Sequence, residues 1–210
     1  MVRILIADDH EVVRSGLKAI LQDQQGWTIV GEAVDGKQAI AKALECKPDV
    51  AIVDYVLPLL NGIEVTRQIR ARLPQTEVLV FTMHESDALV GEVLQAGARA
   101  YVLKTEGNEQ IIGAVKALAA HRSFLTGEWP ERMLEGFLEK LAKNGSVLSP
   151  KERVIVQLIA EGRSNKEMSK ILNLSVKTIE THRAMALQKL HIKTTAGLVR
   201  YAIRNQIIDA

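Results

Sequence analysis

The chain has 210 residues and is 47% hydrophobic, enough for one large or two small domains. Its single cysteine, Cys46, excludes a disulfide framework within the chain and suits a reducing cytosol. No apolar run approaches a membrane span and residues 1–25 lack a signal-peptide layout, so a cytoplasmic protein without a membrane partner is expected.

The net charge of +2 is unevenly placed. Residues 1–122 carry 13 basic against 16 acidic side chains, residues 123–146 carry 3 against 4, and residues 147–210 carry 11 against 5. An acidic front half joined to a basic tail points to a polyanion partner for the tail alone; a solvated basic surface has the same composition.

Val2–Ala7 is a short apolar run that reads as a buried strand and ends in the acidic pair Asp8-Asp9. An amphipathic helix follows over His10–Gln22. The same alternation continues with strand Thr28–Ala33, helix Gly36–Cys46, strand Val50–Asp54, helix Gly62–Arg72, strand Glu77–Thr82, helix Ser86–Ala96, strand Ala100–Leu103 and helix Asn108–His121. Within the last helix Ile111, Ile112, Val115, Leu118 and Ala119 recur at helical spacing. Five βα units in series predict an α/β domain over 1–122: a five-stranded, doubly wound parallel sheet with helices on both faces.

Residues 123–146 read as a connector. Gly127, Pro130 and Asn144-Gly145-Ser146 punctuate it. Met133, Leu134, Phe137, Leu138 and Leu141 form one apolar helical stripe, which predicts packing against a neighbouring domain. From 147 to 210 the pattern is helical throughout. Ser149-Pro150-Lys151-Glu152 supplies an N-cap, an N1 proline and a capping-box glutamate for a helix to Glu161, which Gly162 stops. Ser164 caps a short helix through Ile171, Ser175 caps Val176–Leu190, and Ala196–Asn205 closes the chain. Only Leu172-Asn173-Leu174 separates the second and third helices, which is helix-turn-helix spacing.

In a parallel sheet the strand ends gather on one edge, where open α/β folds bind ligands. Asp8, Asp9 and Asp54 would crowd there, and like charges so close need a cation among them. Oxygen-only ligands of this hardness suit Mg²⁺, which bridges carboxylates to a phosphate. Thr82 and Lys104 end the fourth and fifth strands on the same edge. The lysine supplies a point charge for a phosphoryl oxygen, and the threonine a hydroxyl. Tyr101 is placed to swing between buried and exposed positions. His10 and His84 read as polar loop residues, and Cys46 as a small packed one.

These residues, Asp8-Asp9, Asp54 with Pro58 and Asn61-Gly62 after it, Thr82, Tyr101 and Lys104, resemble the CheY-like receiver domain of bacterial response regulators. The resemblance implies a flavodoxin-like fold in which Asp54 accepts a phosphoryl group from a phosphohistidine of a sensor histidine kinase. It implies Mg²⁺ held by Asp9, Asp54 and the Val56 carbonyl, with Asp8 acting through water. Lys104 would pair with the phosphoryl group, and Thr82 and Tyr101 would carry the switch. The chain departs from the family pattern at Tyr55, Leu57, Leu59-Leu60 and Thr105, without removing a group that touches metal or phosphate.

The segment from Leu148 through Arg163-Ser164-Asn165-Lys166-Glu167 to Val176-Lys177-Thr178-Ile179-Glu180-Thr181-His182-Arg183 resembles the LuxR-type helix-turn-helix domain of the NarL/FixJ class. By that resemblance Val176–Leu190 is a recognition helix for the major groove of an operator. Glu180, Thr181 and Ala184 would face bases. Lys177, Thr178, Arg183 and Lys189, with Ser164, Asn165 and Lys166 at the preceding helix start, would hold phosphates. Val176, Ile179, Ala186, Leu187 and Leu190 would face inward. His182 either packs or meets DNA. Phosphorylation would favour homodimers, with the last helix as a dimer contact and RNA polymerase as a further partner. The implied protein is a transcription regulator whose only enzymatic activities are phosphoryl transfer to its own Asp54 and slow hydrolysis of the product. Two alternatives stay open: a constitutive DNA-binding protein that uses the front half for dimerisation, and a metal-dependent phosphohydrolase. The second usually needs an acid two residues after the nucleophile, where Val56 stands.

Overall fold

The computed structural model describes residues 1–84, 87–125 and 147–208. The chain divides into two compact units, residues 1–144 and 145–210. Ser86 and the stripe from Met133 to Leu141 lie outside the described residues.

The first unit begins with strand β1 (Val2–Ala7), helix α1 (Glu11–Gln22), strand β2 (Trp27–Ala33), helix α2 (Gly36–Cys46) and strand β3 (Val50–Asp54). It continues with α3 (Gly62–Arg72), β4 (Glu77–Thr82), α4 (Asp87–Gln95), β5 (Ala100–Leu103), α5 (Asn108–Ala119) and β6 (Phe124–Leu125). The strands form one parallel sheet in the order β2-β1-β3-β4-β5-β6. The sheet therefore has six strands rather than the five expected. Phe124 and Leu125, placed in the connector by their sequence, pair with Ala100 and Tyr101 and cover the outer edge of β5.

Strands β3 and β4 are buried along their whole length, as continuous apolar runs in a two-sided parallel sheet should be. On one face Ile4, Ile52, Leu79 and Val102 meet Leu17 and Leu21 of α1 and Ile111 and Leu118 of α5. Helices α2, α3 and α4 pack beside one another on the other layer. Burying a side chain such as Ile52 or Leu118 contributes about 1.5–3 kcal/mol of transfer free energy. The order reverses between β1 and β3, and that switch point opens a crevice at the strand ends.

Two glycines close the loop between β3 and α3. Gly36 donates its N–H to the Pro58 carbonyl, and Gly62 donates to that of Tyr55. A Cβ on Gly36 would stand 2.0 Å from the Leu60 carbonyl oxygen, and one on Gly62 would stand 2.3 Å from that of Asp54. Asn61 accepts from the Glu64 N–H at 3.0 Å and caps α3, so the chain turns sharply after Asp54.

The second unit is helical among its described residues: α6 (Pro150–Ala160), α7 (Asn165–Leu172), α8 (Val176–Lys189) and α9 (Thr195–Arg204). Ser149 with Glu152 and Ser164 with Glu167 complete the capping boxes that start α6 and α7. The left-handed Asn173 ends α7 and allows the tight turn into α8. Ile155, Leu158, Met168, Ile179, Ala186 and Leu198 fill the core. Val176, expected to face inward, is exposed, while Leu187 and Leu190 are half-buried. Among the described residues no helix is long and apolar enough to cross a membrane.

Candidate functional site

Strand register builds the acidic pocket. Ala7 lies beside Val53 and Asp54 beside Phe81, so Asp8 and Asp54 leave neighbouring strands at one level. Thr82 pairs with Leu103, which delivers Lys104 to the same edge. The Lys104 Nζ lies 2.6 Å from Asp54 Oδ2 and 2.7 Å from Asp8 Oδ2, and sits over the Phe81 ring at 6.0 Å from its centroid. Asp8, Asp54 and Thr82 are buried and Asp9 is exposed.

The electrostatics follow from that packing. Burial pushes the Asp54 carboxyl up to about 7, against the pull of the Lys104 ammonium and with a further push from Asp8; the Val56 N–H donates to it. Burial disfavours the Lys104 ammonium, but Asp54 and Asp8 outweigh it and hold the group above the ordinary lysine range. One ammonium among three carboxylates leaves net negative charge in a confined space. The ligand atoms of Asp8, Asp9, Asp54 and His10 all lie within 4.8 Å of one another. This oxygen-rich, under-neutralised set fits a hard divalent cation such as Mg²⁺.

A proton on Asp54 therefore helps the metal-free fold. That stability is fully present below the ordinary aspartate range near about 4, fades as pH rises, and is gone above about 7. Asp54→Asn should thus stabilise the chain in EDTA at pH 8, by roughly 2–4 kcal/mol. The gain should shrink towards zero at pH 4. Urea unfolding at the two pH values reads this directly, and a gain equal at both would contradict it.

Residues around the pocket add detail. The Thr82 Oγ1 accepts from the His84 N–H at 3.2 Å. Tyr101 is buried, and its hydroxyl donates to the His84 carbonyl oxygen. Tyr55 is buried edge-to-face on the His84 ring, with centroids 5.9 Å apart. His84 thus meets Tyr55 through its ring and Thr82 and Tyr101 through its backbone. The His10 Nδ1 lies 3.0 Å from Asp9 Oδ1 and 3.3 Å from Asp8 Oδ1. Arg14, which the sequence did not single out, donates from Nη1 to the carbonyls of Asp8 at 2.9 Å and Asp9 at 3.1 Å, tying down the loop that carries both acids.

In the helical unit Lys166, Lys177, Glu180, Thr181 and Ala184 are exposed, as their expected roles need. Ser164 and Thr178 are engaged in the caps of α7 and α8. The Thr181 hydroxyl donates back to the Lys177 carbonyl at 3.0 Å. Three expected phosphate ligands, Lys189, Arg183 and Asn165, have other partners. The Lys189 Nζ binds the buried Glu152 carboxylate at 2.8 Å. Burial pushes that carboxyl up, but Lys189 and the Ser149 N–H outweigh it and hold it below the usual range. Arg183 donates to Thr195 Oγ1 at 2.8 Å and reaches Asn165 Oδ1 at 3.4 Å. His182 is half-buried, and its Nδ1 is enclosed, which favours packing over a place at the surface.

Residues 4–116 match the response regulator receiver domain, and residues 146–202 match the bacterial regulatory proteins of the luxR family. The chain is 36% identical over 208 residues to the response regulator protein VraR of Staphylococcus aureus, with 99% of each covered. It is 34% identical over 215 residues to the oxygen regulatory protein NreC of Staphylococcus carnosus, again with 99% of each covered. RcsB from Salmonella enterica serovar Typhimurium, solved bound to the promoter rprA with the phosphomimetic BeF3-, superposes with a TM-score of 0.65 at 26% identity, covering 95% of this chain and 97% of that one. Matched in both halves and along its length, the chain belongs to the two-component response regulators, with a receiver domain followed by a LuxR-type DNA-binding domain, and is a regulator of transcription.

Proposed function

We propose that Asp54 is the phosphoacceptor and that its phosphorylation controls dimerisation and operator binding. The observation that carries this is the Lys104 ammonium held between the carboxylates of Asp54 and Asp8 at the sheet's switch point. An Asp54 oxygen attacks the phosphorus of a sensor kinase's phosphohistidine; the P–N bond breaks and the imidazole leaves with the bonding electrons. Asp9, Asp54 and the Val56 carbonyl would hold Mg²⁺, with Asp8 acting through water. When bound, the metal offsets charge on the phosphoryl oxygens. Lys104 then exchanges its carboxylate contacts for the phosphoryl group, which brings a charge of about −1.5 to −2. Thr82 donates its hydroxyl to a phosphoryl oxygen, and Tyr101 follows through the His84 backbone that both now touch.

In the second unit Ser164, Lys166, Lys177 and Thr178 approach phosphates, Asn165 turns to Glu180 and Arg183, and Glu180, Thr181 and Ala184 face the groove. Arg183 and Lys189 contribute chiefly by fixing the recognition helix, as their present partners indicate. The division into a receiver over 1–122, a connector over 123–146 and a DNA-binding domain over 147–210 is supported by the two family matches, with the first residues of the connector serving the sheet. The protein works in the cytoplasm as a homodimer on DNA, with RNA polymerase as a further partner. Its only enzymatic activities are the self-directed transfer and slow hydrolysis at Asp54.

The test uses the full chain with acetyl phosphate and Mg²⁺, followed by sedimentation and operator titration. The wild-type chain should dimerise and tighten on DNA. Lys104→Ala should still bind Mg²⁺ but should lose phosphate-dependent dimerisation. Normal dimers from Lys104→Ala would remove the lysine from the switch. Equal DNA affinity with and without phosphate would favour a constitutive DNA-binding protein.

A further inference from the structure

Glu180 is the sole acidic residue on α8, and it is exposed between Lys177 and Ala184. A carboxylate facing a polyanion is a cost unless it meets a hydrogen-bond donor. It is also held. The Asn165 amide nitrogen lies 3.5 Å from Glu180 Oε1, and its amide oxygen lies 3.4 Å from Arg183 Nη1. Arg183 is in turn anchored to Thr195, the first residue of α9, at 2.8 Å. The guanidinium can only donate and the carboxylate can only accept, so the amide between them has one favourable orientation. Long contacts of 3.4 and 3.5 Å, with one of 2.8 Å to Thr195, thus link this carboxylate to three helices.

We infer that Glu180 reads a cytosine in each half-site, with Asn165 and Arg183 as positioning residues. This rests on the DNA-binding reading above. The choice of base follows from the major-groove edges. Guanine shows two acceptors and thymine an acceptor and a methyl, so both repel or waste a carboxylate. Adenine offers its amino group beside the N7 acceptor. Cytosine offers the N4 donor with no acceptor next to it. Glu180 therefore excludes guanine and thymine and favours cytosine over adenine. Arg183, held by Thr195 and Asn165, serves the carboxylate rather than a phosphate.

The experiment selects binding sites from random duplexes, using full chain treated with acetyl phosphate and Mg²⁺. Wild-type chain should enrich sites with one invariant cytosine per half-site, whose replacement weakens binding about tenfold. Glu180→Ala should relax that position alone and bind random DNA more tightly, since it removes a like charge. Glu180→Gln should move the preference there to adenine, which a glutamine amide can contact at N6 and N7. Asn165→Ala and Arg183→Ala should blur the same position and leave the others sharp. Sharp wild-type sites with unchanged preferences in both Glu180 variants would overturn this inference alone. A wild-type chain that enriches no sequence would overturn the DNA-binding reading and this inference with it.

Discussion

The Asp54→Asn chain should incorporate no phosphoryl group from acetyl phosphate and Mg²⁺ under conditions that label the wild-type chain. An amide oxygen is a far weaker nucleophile than a carboxylate and a weaker ligand for a hard cation, so the rate should fall on the order of a thousandfold or more. The fold should survive, because asparagine keeps an oxygen for the Val56 N–H, and Lys104 keeps Asp8 at 2.7 Å. Intact mass spectrometry checks the result as the presence or absence of one phosphoryl group. Residual labelling at the wild-type level would move the acceptor to Asp8 or Asp9, the other carboxylates in the cluster.

Gly62→Ala, like Gly36→Ala, should be among the most damaging single-methyl changes in the receiver. The added Cβ would meet the Asp54 carbonyl oxygen at 2.3 Å and the Tyr55 Cα at 2.8 Å. Both are backbone atoms that no rotamer change can move, so the end of β3 or the start of α3 must shift. The expected loss is about 3 kcal/mol or more. Because the struck atom belongs to Asp54, labelling should fall even in molecules that stay folded. Gly16→Ala is the control: it lies in α1 with nothing within 4 Å of the added carbon, and should gain about 0.5–1 kcal/mol. Urea titration of both variants checks the pair, and a Gly62→Ala chain as stable as wild type would show that the loop yields freely.

The strands that carry the site were legible because they are buried on both faces. Val50–Asp54 and Glu77–Thr82 are apolar runs broken by clear turn residues, and their ends fell where the sequence placed them. Asp54, Thr82 and Lys104 inherited that clarity, since each is simply the residue at or after a strand end. The helix-turn-helix was legible through its caps, Ser149, Ser164 and Ser175, each of which accepts the expected backbone N–H. What was hidden is what depends on long-range contact. Glu152 and Lys189 are 37 residues apart, and no local pattern says that a recognition-helix lysine will seek a capping-box glutamate. Arg183 and Asn165 met for the same reason. The roles of Gly36 and Gly62 depend on where another backbone passes. Strand β6 is two residues long, too short for any periodicity to register. Its stabilising partner is the edge of β5, and Phe124 packs within 3.3 Å of where a Cβ on Gly113 would be.

That short strand changes the distance over which a signal has to travel. Tyr101, the proposed switch residue, is the register partner of Leu125, the last residue of β6. If Tyr101 carries the switch, its movement has one ladder step to cross to reach β6, while Asp54 lies two strands away on β3 with β4 between. Such a step would cost little, since a two-residue strand opens more readily than the six-residue β4, which is paired on both sides. A switch at Tyr101 and the first residues of the connector would then share one rung of the sheet.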